Sequence, residues 1–170
     1  MKLEDFIRSI PDFPKKGILF RDITPLLAEP EALKVAVEKM VEPFHSEKID
    51  KVVAVEARGF ILGGIAAYIL GAGFVPVRKK GKLPYETIFQ EYELEYGKDS
   101  LEMHRDAIKE GENVLILDDL LATGGTVEAV VEMVEKLKGN ILGISFLIEL
   151  TDLKGRERLK GYKVHSLIKY

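Results

Sequence analysis

Residues 114 to 126 read Val114-Leu115-Ile116-Leu117-Asp118-Asp119-Leu120-Leu121-Ala122-Thr123-Gly124-Gly125-Thr126, and their order decides the fold. The apolar run Val114 to Leu117 is short, β-branched at Val114 and Ile116, and bounded by polar residues, so it reads as an inner strand of a parallel sheet. Beyond it, Val127, Val130, Val131, Val134 and Leu137 recur at helical spacing and predict an amphipathic helix over 126–137 that packs back on that sheet. Between strand and helix lies Ala122-Thr123-Gly124-Gly125-Thr126. Its glycines permit positive φ and leave backbone N–H groups unshielded, while two hydroxyls and the positive end of the helix add attraction for a dianion. Such a loop suits a phosphate monoester. Asp118 and Asp119 stand at the carboxyl end of the strand, where side chains face a ligand crevice. Carboxylates repel phosphate, so their task is to accept hydrogen bonds from sugar hydroxyls. Either piece alone is weak, since paired acids also occur in solvated turns and Thr-Gly-Gly-Thr is an ordinary turn signal. The whole string in order carries the reading.

The remaining composition restricts the function classes. A length of 170 residues suits one domain over 1–170. A formal charge of -3 argues against nonspecific nucleic-acid binding while leaving room for a local basic patch that holds a polyphosphate. The absence of cysteine excludes a disulfide framework and a thiolate metal site, and it fits a reducing cytoplasm. The acids Glu4 and Asp5 interrupt the region where a secretory signal would be apolar. Gly59 to Val77 is uncharged for nineteen residues but contains five glycines and Pro76, so a helix followed by a strand fits better than a membrane span. No Gly-x-x-x-x-Gly-Lys-Ser/Thr pattern occurs, which excludes a P-loop nucleotidase.

Along the chain, residues 2–9 predict a short helix, followed by irregular chain through Leu27. Leu33, Val37, Met40 and Phe44 mark the inner face of a helix beginning after Pro30. A strand over 51–55, a helix over 60–70 and a strand over 74–77 follow, then the strand and helix of the opening string. A strand over 141–148, a short helix near 153–159 and a strand over 163–167 complete the chain. This alternation predicts right-handed crossovers and a doubly wound parallel α/β sheet. Residues 80–106 break the rhythm with charges and Tyr85, Tyr92 and Tyr96, and predict a hairpin-like, partly mobile lid.

The string resembles the phosphoribosyl pyrophosphate (PRPP) motif of the type I phosphoribosyltransferases. Further segments strengthen the resemblance: Phe13 to Pro25, Glu56-Ala57-Arg58-Gly59-Phe60, Arg78 to Pro84, Leu94-Glu95-Tyr96-Gly97-Lys98 and Glu149 to Glu157 follow in the order seen in the adenine-specific members. Essentially the whole chain is covered. The resemblance implies the type I fold with an amino-terminal hood over 1–28, and transfer of the 5-phosphoribosyl group from PRPP to adenine, giving AMP and pyrophosphate in the cytoplasm. By it, Ala122, Thr123, Gly124, Gly125 and Thr126 hold the 5-phosphate, and Asp118 and Asp119 take the ribose hydroxyls. Arg58, Arg78, Lys79 and Lys82 meet pyrophosphate. Phe20 and Leu120 sandwich the purine, while backbone groups of Leu19 and Arg21 read its edge. Glu95 manages the purine proton and Tyr96 closes the lid.

Magnesium is expected on substrate oxygens, without a dedicated protein cage. A homodimer is implied that brings residues 78–82 near the neighbouring site. The rivals are a related enzyme for xanthine, hypoxanthine or orotate, and a PRPP-sensing regulator without catalysis. The regulator would require an added DNA-binding module or a missing lid.

Overall fold

The computed structural model describes residues 1–94 and 97–170. Near the amino terminus the chain makes a 3-10 turn, Leu3–Phe6, and then the antiparallel strands β1 (Arg8–Pro11) and β2 (Leu19–Asp22). The helix predicted over 2–9 is therefore only one tight turn. Leu3 and Phe6, three residues apart, anchor that turn to the core, and the residues after it pair with β2 instead. Pro11 has no N–H to donate and is tolerated because this ribbon has only two strands. Helix α1 (Thr24–Ala28) replaces the expected irregular chain.

Helix α2 (Pro30–Val41) starts on a proline, whose missing N–H belongs to the unpaired first turn. Ala32, Ala36, Val37, Met40 and Val41 are its buried residues. The predicted Leu33 is only half-buried because Ala32 and Ala36 allow closer approach to the sheet. Next come β3 (Lys51–Val55), α3 (Arg58–Leu70) and β4 (Gly73–Lys79), with α3 ending on Gly71 at φ 66°. The excursion forms an antiparallel hairpin, β5 (Thr87–Leu94) and β6 (Gly97–His104). Its root extends the main sheet: Arg78 and Lys79 of β4 pair with Glu102 and Leu101, and Leu101 and Met103 are fully buried. The chain then runs through β7 (Asn113–Leu121), α4 (Gly125–Lys136), β8 (Asn140–Glu149) and β9 (Val164–Lys169). The helix predicted near 153–159 is instead two 3-10 turns, Thr151–Leu153 and Gly155–Leu159. Lys154 between them adopts φ 54°, which a right-handed helix cannot continue through.

Among the described residues the main sheet has seven strands in the order β5-β6-β4-β3-β7-β8-β9. From β4 to β9 every neighbouring pair is parallel. Leu115, Leu117 and Leu147 pack with α1, α2 and α3 on one face, while Val114, Ile116 and Phe146 pack with α4 on the other, as doubly wound patterning predicts. From β3 the chain moves outward to β4, and from β7 it moves the opposite way to β8. The gap between the carboxyl ends of β3 and β7 is thus the topological switch point, where such sheets bind ligands.

Candidate active site

At that point β3 and β7 part. Their last paired residues are Ala54 and Leu117, whereas β3 stays with β4 through Val55 and Val77, and the Glu56 N–H donates to the Val77 carbonyl at 3.1 Å. Asp118 to Leu121 continue beyond the split, and a cleft of about 300 Å³ opens there. It brings together Arg58, Lys79, Asp118, Asp119, Leu120 and the loop 122–126. Tyr92 and Leu101 of the hairpin form its opposite wall.

The two carboxylates have different partners. Asp119 Oδ2 lies 2.8 Å from Arg58 Nε, while Asp118 Oδ1 accepts the Asp119 N–H at 2.8 Å. Asp118 is set against the first turn of α3, where a Cβ on Gly59 would stand 2.9 Å from its Oδ1, so only glycine admits this approach. Burial pushes the Asp118 carboxyl well above its ordinary pKa of 3.8, with repulsion from Asp119 adding to it; the Asp119 N–H and Arg58 oppose the shift and do not cancel it.

The loop after β7 is shaped by Gly124, at φ 92° immediately before α4. Its carbonyl accepts the Glu128 N–H at 2.9 Å, starting the helix. A Cβ on Gly124 would lie 2.8 Å from the Gly155 carbonyl oxygen and 3.2 Å from Arg158 Cδ. The 3-10 turn at 155–159 therefore backs the loop. On the opposite side Thr123, Gly125 and Thr126 line the cleft, and the space around Gly125 is open. The start of a twelve-residue helix, with its unpaired backbone N–H groups, thus borders the cleft.

Each predicted pyrophosphate-binding cation is paired with an acid. Arg58 holds Asp119. Arg78 donates to Glu56 Oε2 through Nε at 3.3 Å and Nη2 at 3.1 Å, and Lys82 Nζ reaches the same oxygen at 3.2 Å. The Lys79 ammonium pairs with Asp99 and lies 3.2 Å from the Tyr92 hydroxyl, two contacts that raise its pKa. Lys79 and Arg58 line the cleft, whereas Arg78 and Lys82 stand behind Glu56.

In the hood, Phe20 is half-buried beneath the Arg58 guanidinium, 5.3 Å from its ring centre, and meets Phe13 edge-on at 5.1 Å. Phe13 remains 48% exposed, so these rings belong to the site rim rather than the core. Leu19 is exposed. The Arg21 guanidinium donates to Ser9 Oγ at 2.6 Å and stacks 3.7 Å above the Tyr170 ring, which leaves this residue its backbone for any role at the cleft. Leu120 lines the cleft. The predicted proton-handling Glu95 and the lid residue Tyr96 lie outside the described residues.

A phosphoribosyl transferase domain matches residues 23–168. The chain is 61% identical to an adenine phosphoribosyltransferase from Brachyspira hyodysenteriae, across all of both chains. The chain belongs to the adenine phosphoribosyltransferase family. A crystal structure of adenine phosphoribosyltransferase from Rhodothermus marinus superposes with a TM-score of 0.95 at 56% identity, over 99% of this chain and 96% of that one. Another, from Saccharomyces cerevisiae in complex with adenine and an imino-altritol bisphosphate, gives 0.90 at 43% identity over 95% and 94%.

Within this phosphoribosyltransferase fold, sequence reasoning missed Asp99 and gave Glu56 and Tyr92, named only within a quoted segment and the lid, no role at the cleft. Glu56 sits directly before Ala57-Arg58, and a lone acid in a turn gives no sign that it will receive cations from 22 and 26 residues further on. Only the β3–β4 register brings them together.

Proposed function

We propose that the chain transfers the 5-phosphoribosyl group of PRPP to adenine, forming AMP and pyrophosphate. The observation that carries this is one cleft at the switch point holding a carboxylate pair, an amide-rich glycine loop at a helix start, and Arg58. Binding of adenine by the yeast relative supports the choice of base.

The 5-phosphate sits on the Ala122 to Thr126 amides and the hydroxyls of Thr123 and Thr126. Asp118 and Asp119 accept the two ring hydroxyls and favour the positive charge that develops as the C1–O bond to pyrophosphate breaks and the C1–N9 bond forms. Ribose at Asp119 and pyrophosphate at Arg58 each compete with the 2.8 Å Asp119–Arg58 contact, so binding at one end frees the group at the other. Arg58, Arg78, Lys79 and Lys82 receive the leaving pyrophosphate, with Arg gripping two oxygens and Lys acting as a point charge.

Phe20 and Leu120 enclose the purine. A backbone carbonyl and N–H at Leu19 and Arg21 read its amino edge, where a 6-oxo purine would oppose two acceptors. Glu95 takes the N9 proton, and Tyr96 closes the 80–106 lid to keep water from the ribosyl cation. Asp118 and Asp119 are hard oxygen donors in the cleft and fit a magnesium ion held mainly on PRPP oxygens. That ion, when bound, offsets charge on the departing pyrophosphate. The protein acts as a cytoplasmic homodimer.

Incubation with labelled adenine, PRPP and magnesium tests the proposal. AMP is the expected product, with hypoxanthine, xanthine and orotate failing to compete. Absence of AMP, or preferential use of another base, contradicts it.

A further inference from the structure

Glu56 holds the rim of the cleft with a side chain only 13% exposed. Both of its carboxylate oxygens are occupied. Oε1 accepts the Lys79 N–H at 2.7 Å, while Oε2 accepts Arg78 Nε at 3.3 Å, Arg78 Nη2 at 3.1 Å and Lys82 Nζ at 3.2 Å. The bond from its own N–H to Val77 fixes the root of the side chain to β4. One acid on the β3–α3 turn thus ties down the end of β4 and the basic turn that follows. Without it, Arg78 and Lys82 have no acid between them; Lys79 keeps Asp99, but repulsion and rotamer freedom spread the other two side chains into solvent.

We infer that Glu56 is a positioning residue of phosphoribosyl transfer: it fixes the Lys79 backbone at the cleft wall and holds Arg78 and Lys82 just behind that wall, so that the leaving pyrophosphate meets a positive rim already in place. The inference rests on the function proposed above. Burial works to raise the Glu56 pKa, but the Lys79 N–H, Lys82 and Arg78 together lower it, so the carboxylate stays charged at neutral pH. An acid near a polyphosphate site is unfavourable on charge alone. Here two cations share one carboxylate, leaving a net positive charge, and its oxygens are turned to donors. If Glu56 merely competed with pyrophosphate for these cations, its neutralisation would tighten binding, which separates the two roles.

Glu56→Gln keeps the shape and removes the charge. Calorimetry with magnesium pyrophosphate, which needs no turnover, is expected to show affinity about tenfold weaker than wild type. In steady-state assays KM for PRPP rises by a similar factor, while KM for adenine stays within about twofold. Combined with Lys82→Ala, the loss is smaller than the product of the single losses, because both changes disrupt one network. Unchanged or tighter pyrophosphate binding, an equal rise in KM for adenine, or a fully multiplicative double variant each overturns the inference. Should Glu56→Gln not fold, Glu56→Asp withdraws the charge by one methylene and is expected to show a smaller loss of the same kind; wild-type affinity there overturns it. A wild type that binds pyrophosphate but makes no AMP removes the proposed reaction, and the binding comparison still decides the role of Glu56. A wild type that does not bind pyrophosphate removes that role.

Discussion

Asp118 is half-buried beside a second carboxylate and against the first turn of α3, and burial followed by Asp119 lifts its pKa well above 3.8. A folded state that holds this proton more tightly than the unfolded chain loses stability as pH rises past 3.8. Asp118→Asn removes that burden. It should raise the melting temperature at pH 7, with about 2–4 °C for each kcal/mol gained, and the gain should shrink as pH is lowered towards the ordinary carboxylate range. Turnover should fall about a hundredfold or more, because the charge facing the ribosyl cation is lost. Scanning calorimetry at several pH values beside an AMP assay reads both effects. A variant that melts below wild type at pH 7 contradicts the stability account, and one that retains turnover contradicts the catalytic account.

Among the elements, the loop between β7 and α4 depends on Gly124. At φ 92°, with the Gly155 carbonyl where a Cβ would go, Gly124→Ala should destabilise the protein by about 1–3 kcal/mol and weaken AMP binding, read by thermal melts and titration. The backing turn is itself anchored. Arg156 donates to both oxygens of Glu149 at 2.9–3.2 Å and to the Val164 carbonyl at 3.0 Å, and the Glu149 side chain is 6% exposed. Arg156→Ala leaves that acid without a cation and with the Ser166 hydroxyl, 2.6 Å from its Oε1, as its remaining side-chain donor, and should cost about 2–4 kcal/mol, the lower part of the range being favoured by that donor and by the 40% exposure of Arg156. A melting temperature within about 2 °C of wild type would show the pair to be idle. The strand, acid pair, loop and helix of residues 114–137 were legible because each is local: an apolar run, a glycine turn, then helical spacing. The β1–β2 ribbon was not, because its four-residue strands contain no fully buried residue and show no alternation. Glu56 was hidden for a related reason, since its partners are remote in sequence and only the sheet register brings them near.

For the whole molecule, the parallel strands take the order β4-β3-β7-β8-β9, and the reversal of direction between β3 and β7 opens the cleft. Charges distributed over the fold set its response to acid. Asp22, Glu56, Glu112 and Glu149 all have lowered pKa values, so each contributes stability above its ordinary 3.8 or 4.5 that is lost as pH falls through the depressed value. The melting temperature should therefore decline below about pH 4.5, which a pH series of melts would check; a flat profile there contradicts this balance. The central claim is that one switch-point cleft seats a nucleotide with its phosphate on the loop amides and its sugar between the acids. A crystal structure with AMP tests it most directly. The phosphate should accept hydrogen bonds from the backbone of residues 123–126, with both ribose hydroxyls on Asp118 and Asp119. A phosphate bound elsewhere, or a ribose turned away from these carboxylates, contradicts the account.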